Sequence, residues 1–117
     1  MIRREWERFK LRAKWSWQGW AYCWKNEHSL KQWVLANIAS AALALILDLT
    51  TAERALILAL GILVLAAELM NTAIEKTVDH TSLEQHPLAK IAKDTASAGV
   101  ALTAIAAGLA WVVILIG

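Results

Sequence analysis

Apolar residues near the start of the chain recur every three or four positions. At about 100° per residue, this spacing gathers them on one face of a helix. The apolar face consists of Trp6, Phe9, Ala13, Trp17, Trp20 and Trp24. Arg4, Arg8 and Arg12 fall on the opposite face. The pattern predicts an amphipathic helix within residues 1–32 that lies on a membrane surface, with its tryptophans among the lipid headgroups. A helix docked on the rest of its own protein would show the same pattern.

Three long apolar segments follow, and each is suited to cross a bilayer. They cover residues 33–47, 53–79 and 88–117. About 20 helical residues span a hydrocarbon core of about 30 Å, so the first segment is short and needs its flanks to lie in the interface. Thr50 and Glu53 have the spacing of a capping box, which predicts the start of the second helix. Pro87 fits the first turn of the third helix.

The composition supports a membrane protein with one domain over residues 1–117. Hydrophobic residues make up 58% of the chain and charged residues 19%, which is too apolar for a soluble core of this size. Eight of the twelve lysines and arginines lie in residues 1–33 and three lie in residues 76–93. The positive-inside rule therefore predicts a cytoplasmic N-terminus and a C-terminus on the far side of the membrane. Clustered cations in a chain of net charge +2 favour a membrane surface or a phosphorylated ligand over nucleic acid.

The second apolar segment carries a stripe of polar residues. Glu68, Asn71, Glu75 and Asp79 are spaced so that all four lie within about 40° of one direction on a helix. Glu68 lies about 20 Å along the helix from Ala55, which is still inside a hydrocarbon core of about 30 Å. A carboxylate at that depth costs at least about 2.5 to 3.5 kcal/mol and is a candidate functional group. The alternative is a polar seam that only holds helices together.

Further charged residues lie near the predicted cytoplasmic boundary. Lys90, Lys93, Asp94 and Ser97 share one face of the third helix, where Lys93 would pair with carboxylates or hold a phosphate. Glu27 precedes the first span, and a solvated surface carboxylate is the alternative for that residue. Clustered carboxylates bind Mg²⁺, and Mg²⁺ brings nucleotide phosphates. The five glycines of the sequence match no phosphate-binding loop.

Several of these residues belong to a specific pattern. The pattern is ELMNTAIEKTVD over residues 68–79 and HPLAKIAKD over 86–94, with SWQG at 16–19 and WKNE at 24–27. In these motifs the chain resembles the prokaryotic diacylglycerol kinase and undecaprenol kinase family. The resemblance implies a small kinase of the bacterial inner membrane with three transmembrane helices and a surface helix. It further implies a homotrimer with sites shared between subunits, which uses MgATP to phosphorylate a lipid hydroxyl.

The resemblance also implies a role for each matching residue. Glu68 would be the general base, and Glu27 and Glu75 would hold Mg²⁺. The implied nucleotide-binding residues are Arg8, Ser16, Asn71, Asp79, His86, Lys93 and Asp94. Within that set, Asn71 would support the metal site, Lys93 would neutralise phosphates, and Asp79 and His86 would lie at the adenosine end. Arg8 and Ser16 would reach in from the surface helix.

The sequence leaves the choice of substrate open. We expect a diacylglycerol kinase, but an undecaprenol kinase would use the same residues. A small oligomeric transporter is a more remote alternative, although it would not need Glu27, Lys93 and Asp94 at the cytoplasmic boundary. Trp33 and Gln85 depart from the family pattern, which bears on the lipid pocket and the adenine contact rather than on phosphoryl transfer.

Overall fold

The chain forms four α-helices. The computed structural model describes residues 1–81 and 84–117, and all regular structure in those two ranges is helical. The helices are α1 (Ile2–Asn26), α2 (His28–Ile46), α3 (Thr51–Thr81) and α4 (Pro87–Ile116). Their number and order agree with the sequence-based expectation. The sequence predicts the first transmembrane segment at residues 33–47, and α2 begins five residues earlier, at His28. Its first turn is polar, so the apolar pattern does not include it.

Local sequence signals determine two of the helix starts. The Thr50 hydroxyl accepts a hydrogen bond from the Glu53 amide at 3.1 Å, and the Glu53 carboxylate accepts one from the Thr50 amide at 2.8 Å. This reciprocal pair is the predicted capping box at the start of α3. Pro87 occupies the first turn of α4, as predicted, and His86 is the N-cap residue. Its Nδ1 accepts a hydrogen bond from the Leu88 amide at 3.0 Å.

The central helix α3 packs against both α2 and α4. One face of α3 is buried along most of its length and consists of Ile57, Gly61, Val64, Glu68 and Thr72. Several polar contacts join the helices, and two of them lie within the apolar segments. The Asn37 amide donates to the Gly61 carbonyl at 2.8 Å, and the Trp111 indole donates to the Ser40 hydroxyl at 2.8 Å. They link α2 to α3 and α2 to α4, respectively.

Helix α1 extends away from the other three helices. The molecule measures 49 by 46 by 24 Å, and residues 1–19 of α1 are solvent-exposed throughout. Contact with α2 and α3 comes at the C-terminal end, where Cys23 is buried. Trp6, Trp15 and Trp17 are each more than half exposed. The tryptophan-rich part of α1 therefore rests on no other part of this chain that the structure describes.

Helices α2, α3 and α4 are long and apolar enough to cross a membrane. They contain 19, 31 and 30 residues, or about 28, 46 and 45 Å at 1.5 Å per residue. Since a hydrocarbon core is about 30 Å thick, α3 and α4 exceed it by several turns. These excess turns meet where α3 ends and α4 begins, and they carry most of the charged residues of that pair.

Candidate functional site

A buried carboxylate lies between α2 and α3. Glu68 is only 5% exposed, and its Oε1 accepts a short hydrogen bond from the Ser29 hydroxyl. Ser29 is the second residue of α2, so Glu68 lies level with the junction between α1 and α2. Thr72, one turn further along α3, is also buried. A carboxylate fixed in this way is oriented by the protein rather than by solvent.

The α1–α2 junction places a second carboxylate nearby. Glu27 has extended backbone dihedrals, and its amide donates to the Cys23 carbonyl at 2.8 Å, which ends α1. Its side chain is 21% exposed, and Lys76 Nζ lies 3.5 Å from Glu27 Oε1. The same ammonium lies 5.7 Å from the centroid of the Tyr22 ring. The predicted metal ligand is therefore paired with a lysine of α3 in this structure.

Asn71 and Glu75 form the third part of the site. The Asn71 side-chain amide donates to Glu75 Oε1 at 3.1 Å. In the part of the chain that the structure describes, Asn71 Oδ1 is buried and has no hydrogen-bond partner. A buried carbonyl oxygen without a partner costs about 1 to 3 kcal/mol, so a ligand that needs oxygen donors would stabilise this arrangement.

These oxygen donors fit a hard cation better than a soft one. Carboxylate and amide oxygens suit Mg²⁺, which usually takes one or two carboxylates and completes its shell with water and phosphate oxygens. Within residues 1–81 and 84–117, no three acidic, histidine or cysteine side chains converge as a metal cage. Glu75 and the Asn71 oxygen that has no partner among the described residues would therefore supply only part of a shell, to which Glu27 and a bound nucleotide would add.

A cleft of about 660 Å³ lies between the C-terminal end of α3 and the N-terminal end of α4. Its lining includes Asp79, His86, Lys90, Lys93 and Asp94, together with Gln85. Lys93 Nζ contacts Asp79 Oδ1 at 2.5 Å, and Lys90 Nζ contacts Asp94 Oδ2 at 2.5 Å. The cleft is thus lined by two pairs of opposite charges. Its volume lies within the range of about 300 to 1,000 Å³ that is usual for small-molecule sites.

The predicted nucleotide-binding residues lie in three places. Four of them, Asp79, His86, Lys93 and Asp94, line the cleft between α3 and α4. Asn71 lies two turns before Asp79 and contacts Glu75. Arg8 and Ser16 lie on the exposed part of α1, and Arg8 Nη1 pairs with Glu5 Oε1 at 3.3 Å. Within one chain, Arg8 and Ser16 are therefore about 22 and 10 Å along α1 from its contact with the bundle at Cys23.

Cys23 is buried beside Glu27 at the C-terminal end of α1. Burial raises the pKa of the Cys23 thiol above its ordinary value, and the negative charge of Glu27 raises it further. The neutral thiol therefore persists to a higher pH than in an exposed cysteine. Cys23 is a buried packing residue where α1 contacts the bundle.

Three polar residues of the site were not identified from the sequence. Ser29 holds Glu68, Lys76 pairs with Glu27, and Thr72 is buried beside Glu68. Thr72 lies one turn after Glu68 on the same face of α3, so helical periodicity could have identified it. Ser29 gave no such signal because its partner is 39 residues away.

The chain is similar to proteins of one known family. The prokaryotic diacylglycerol kinase family matches residues 14–115. A diacylglycerol kinase of Pseudomonas aeruginosa is 46% identical over 101 residues, which cover 85% of this chain and 80% of that protein. The diacylglycerol kinase of Escherichia coli is 35% identical over 103 residues, which cover 88% of this chain and 84% of that protein. The diacylglycerol kinase of Helicobacter pylori is 39% identical over 88 residues, which cover 75% of this chain and 69% of that protein. This chain therefore belongs to the prokaryotic diacylglycerol kinase family.

Proposed function

We propose that this protein is an ATP-dependent diacylglycerol kinase, which transfers the γ-phosphoryl group of ATP to the free hydroxyl of diacylglycerol. The observation that carries the proposal is the buried carboxylate of Glu68, held by Ser29 at the level where α1 meets the apolar bundle. Family membership and the names of the relatives support the same reaction. The products would be phosphatidic acid and ADP.

In this proposal Glu68 acts as general base. The hydroxyl oxygen of diacylglycerol attacks the γ-phosphorus, a new O–P bond forms, and the bond from the γ-phosphorus to the bridging oxygen breaks. The hydroxyl proton passes to Glu68, and ADP leaves with the bridging oxygen. The Ser29 hydrogen bond fixes one carboxylate oxygen and so orients the other. Positioned proton transfer of this kind typically contributes about 10² to 10⁴ in rate.

Glu27 and Glu75 are proposed to hold Mg²⁺, with Asn71 beside them. Asn71 Oδ1, which has no hydrogen-bond partner among residues 1–81 and 84–117, supports this assignment because it adds a buried oxygen donor next to Glu75. When bound, Mg²⁺ would neutralise the charge that develops on the phosphate oxygens. The protein's own contribution is to hold the Asn71 and Glu75 side chains against each other and partly shielded from water, one and two turns from Glu68 along α3.

The cleft between α3 and α4 is proposed to bind the nucleotide. Lys93 would leave Asp79 and neutralise phosphate charge. Both side chains are about 40% exposed, and exposed ion pairs contribute only about 0 to 1 kcal/mol, so this exchange of partners costs little. Asp79 and His86 would then contact the adenosine, with Asp94 completing the lining. Gln85 lines the same cleft, at the position where the sequence departs from the family pattern.

The membrane arrangement is part of the same proposal. The protein would lie in the bacterial inner membrane with its N-terminus in the cytoplasm and its C-terminus outside it. From Ser29 to Ile46, α2 measures about 26 Å, close to the thickness of a hydrocarbon core. Glu68, level with Ser29, would therefore lie at the cytoplasmic edge of the core. This is closer to the cytoplasmic surface than expected from α3 alone, which puts Glu68 about 20 Å from Ala55 in a core of about 30 Å. That level is where the hydroxyl of a diacylglycerol resides. Helix α1 would lie in the adjacent headgroup region as an amphipathic surface helix.

A homotrimer is proposed to complete the site. Arg8 and Ser16 lie far along α1 from the rest of the site in one chain, so a neighbouring subunit would bring them close to a nucleotide. The exposed apolar faces of α2 and α4, which include Leu35, Leu102 and Ile105, offer packing surfaces for such neighbours. Cross-linking in native membranes that stops at the monomer would contradict the trimer.

Transfer of labelled phosphate to a panel of lipids tests the reaction. The purified protein in mixed micelles receives γ-labelled ATP and Mg²⁺, with either diacylglycerol or undecaprenol as acceptor. We expect labelled phosphatidic acid as the main product. Label found mainly in undecaprenyl phosphate would assign the other lipid alcohol, and the absence of any labelled lipid would favour a transporter.

A further inference from the structure

Lys76 occupies a position that the proposed reaction leaves unexplained. It follows Glu75 on α3, and its ammonium contacts two other parts of the site. It lies 3.5 Å from Glu27 Oε1 at the α1–α2 junction and 5.7 Å from the centroid of the Tyr22 ring on α1. A positive charge thus sits on the carboxylate that is proposed to bind Mg²⁺.

Two cations compete for Glu27 in this arrangement. Mg²⁺ requires oxygen ligands at about 2.0 to 2.1 Å in near-octahedral geometry, so it needs direct access to the carboxylate. Like charges on a single carboxylate repel each other strongly at short range. The Lys76 side chain is 53% exposed, so water screens its ion pair with Glu27 and the pair is weak. Lys76 therefore neutralises Glu27 through a weak ion pair, which a metal ion at the carboxylate would displace.

We infer that Lys76 is a tethered counter-ion that neutralises Glu27 in the metal-free protein and is exchanged for Mg²⁺ when the metal binds. This inference rests on the proposed metal role of Glu27. Lys76 is a positioning residue and contacts neither the lipid nor the phosphates. After the exchange, the ammonium stays on the face of Tyr22, where a cation–π contact keeps it beside the site. The lysine lowers the affinity for the metal and makes the loss of Mg²⁺ from Glu27 less costly.

Metal affinity without turnover provides the test. Mn²⁺ replaces Mg²⁺ as a paramagnetic probe, and the signal of free Mn²⁺ reports binding to the purified protein in detergent micelles with a non-hydrolysable ATP analogue. We expect Lys76→Met to bind Mn²⁺ about two- to fivefold more tightly, which corresponds to removing a competitor worth up to about 1 kcal/mol. Lys76→Arg keeps the charge and should retain nearly the parental affinity.

Lys31→Met is the matched control. Lys31 Nζ lies 5.7 Å from the centroid of the Trp24 ring, the same distance as Lys76 from Tyr22, but in the described part of the chain it forms no ion pair with Glu27. The control should leave Mn²⁺ affinity unchanged. If Lys76→Met binds Mn²⁺ as the parent does, or more weakly, the counter-ion role is wrong; weaker binding would instead make Lys76 a phosphate ligand.

A Glu27 variant separates the failure of this inference from the failure of the proposed metal site. Glu27→Gln should weaken Mn²⁺ binding. Adding Lys76→Met to this variant should not raise the affinity for Mn²⁺, because position 27 then has no carboxylate for the lysine to neutralise. If Glu27→Gln weakens Mn²⁺ binding but Lys76→Met has no effect, only the exchange between Lys76 and the metal is wrong. Unchanged binding by Glu27→Gln overturns the metal role of Glu27, and the exchange with it.

Discussion

The close contact between α2 and α3 at Gly61 gives a prediction that does not depend on function. The Asn37 side chain lies directly over Gly61 and donates to its carbonyl at 2.8 Å. A Cβ atom at position 61 would overlap the Asn37 side-chain oxygen. Gly61→Ala should therefore destabilise the helix packing, even though alanine is the better helix former.

The size of the effect follows from two contributions. The end of the Asn37 side chain must move away from a Cβ atom at position 61, which breaks its hydrogen bond to the Gly61 carbonyl and costs about 1 to 3 kcal/mol. The higher helix propensity of alanine offsets about 1 kcal/mol. We expect a net loss of up to about 2 kcal/mol in the free energy of unfolding.

Unfolding in SDS, followed by near-UV circular dichroism of the tryptophans, measures this loss. Asn37→Ala provides the internal control, because it removes the side chain that an alanine at position 61 would overlap. Gly61→Ala in the Asn37→Ala background should be neutral or stabilising. An equal loss from Gly61→Ala in both backgrounds would refute the reasoning, since the overlap would then involve another group.

Three further predictions concern the site. Glu27→Gln and Glu75→Gln should each raise the Mg²⁺ concentration needed for half-maximal kinase activity, and an unchanged titration for either would contradict its role. Because its pKa is raised, Cys23 should react slowly with maleimides near neutral pH and faster as the pH rises above the ordinary thiol range; a rate near neutral pH equal to that in SDS would contradict its burial. Mixing inactive Glu68→Gln and Lys93→Met subunits should restore some activity if those residues come from different chains, whereas no recovery in a proven trimer would place both in one chain.

The starts of α3 and α4 could be predicted because their causes are local. The capping box at Thr50 and Glu53 and the first-turn Pro87 act within four residues, and both were found as predicted. The start of α2 at His28 was missed because hydropathy counts only apolar residues. The polar first turn of α2 is helical, and within it Ser29 finds its partner on α3.

The partners within the site could not be predicted, since they depend on how the helices pack. Periodicity aligned Glu68 and Glu75 on one face of α3, but it carries no information on which residue of another helix faces each of them. The pairing of Lys76 with Glu27 joins α3 to the α1–α2 junction. Lys93 was expected either to pair with a carboxylate or to hold a phosphate, and the structure has it paired with Asp79.

The role of Glu68 as the base of a lipid kinase is tested most directly by a matched pair of variants. Glu68→Gln preserves size and hydrogen bonding but removes the base. Glu53→Gln makes the same change at the other end of α3, where glutamine still serves the capping box.

The measurement is the rate of phosphate transfer from MgATP to diacylglycerol by the purified protein in mixed micelles, with nucleotide binding measured in parallel. We predict that Glu68→Gln slows transfer by about 10² to 10⁴ while it still binds nucleotide, and that Glu53→Gln transfers at nearly the parental rate. Near-parental transfer by Glu68→Gln would contradict the account.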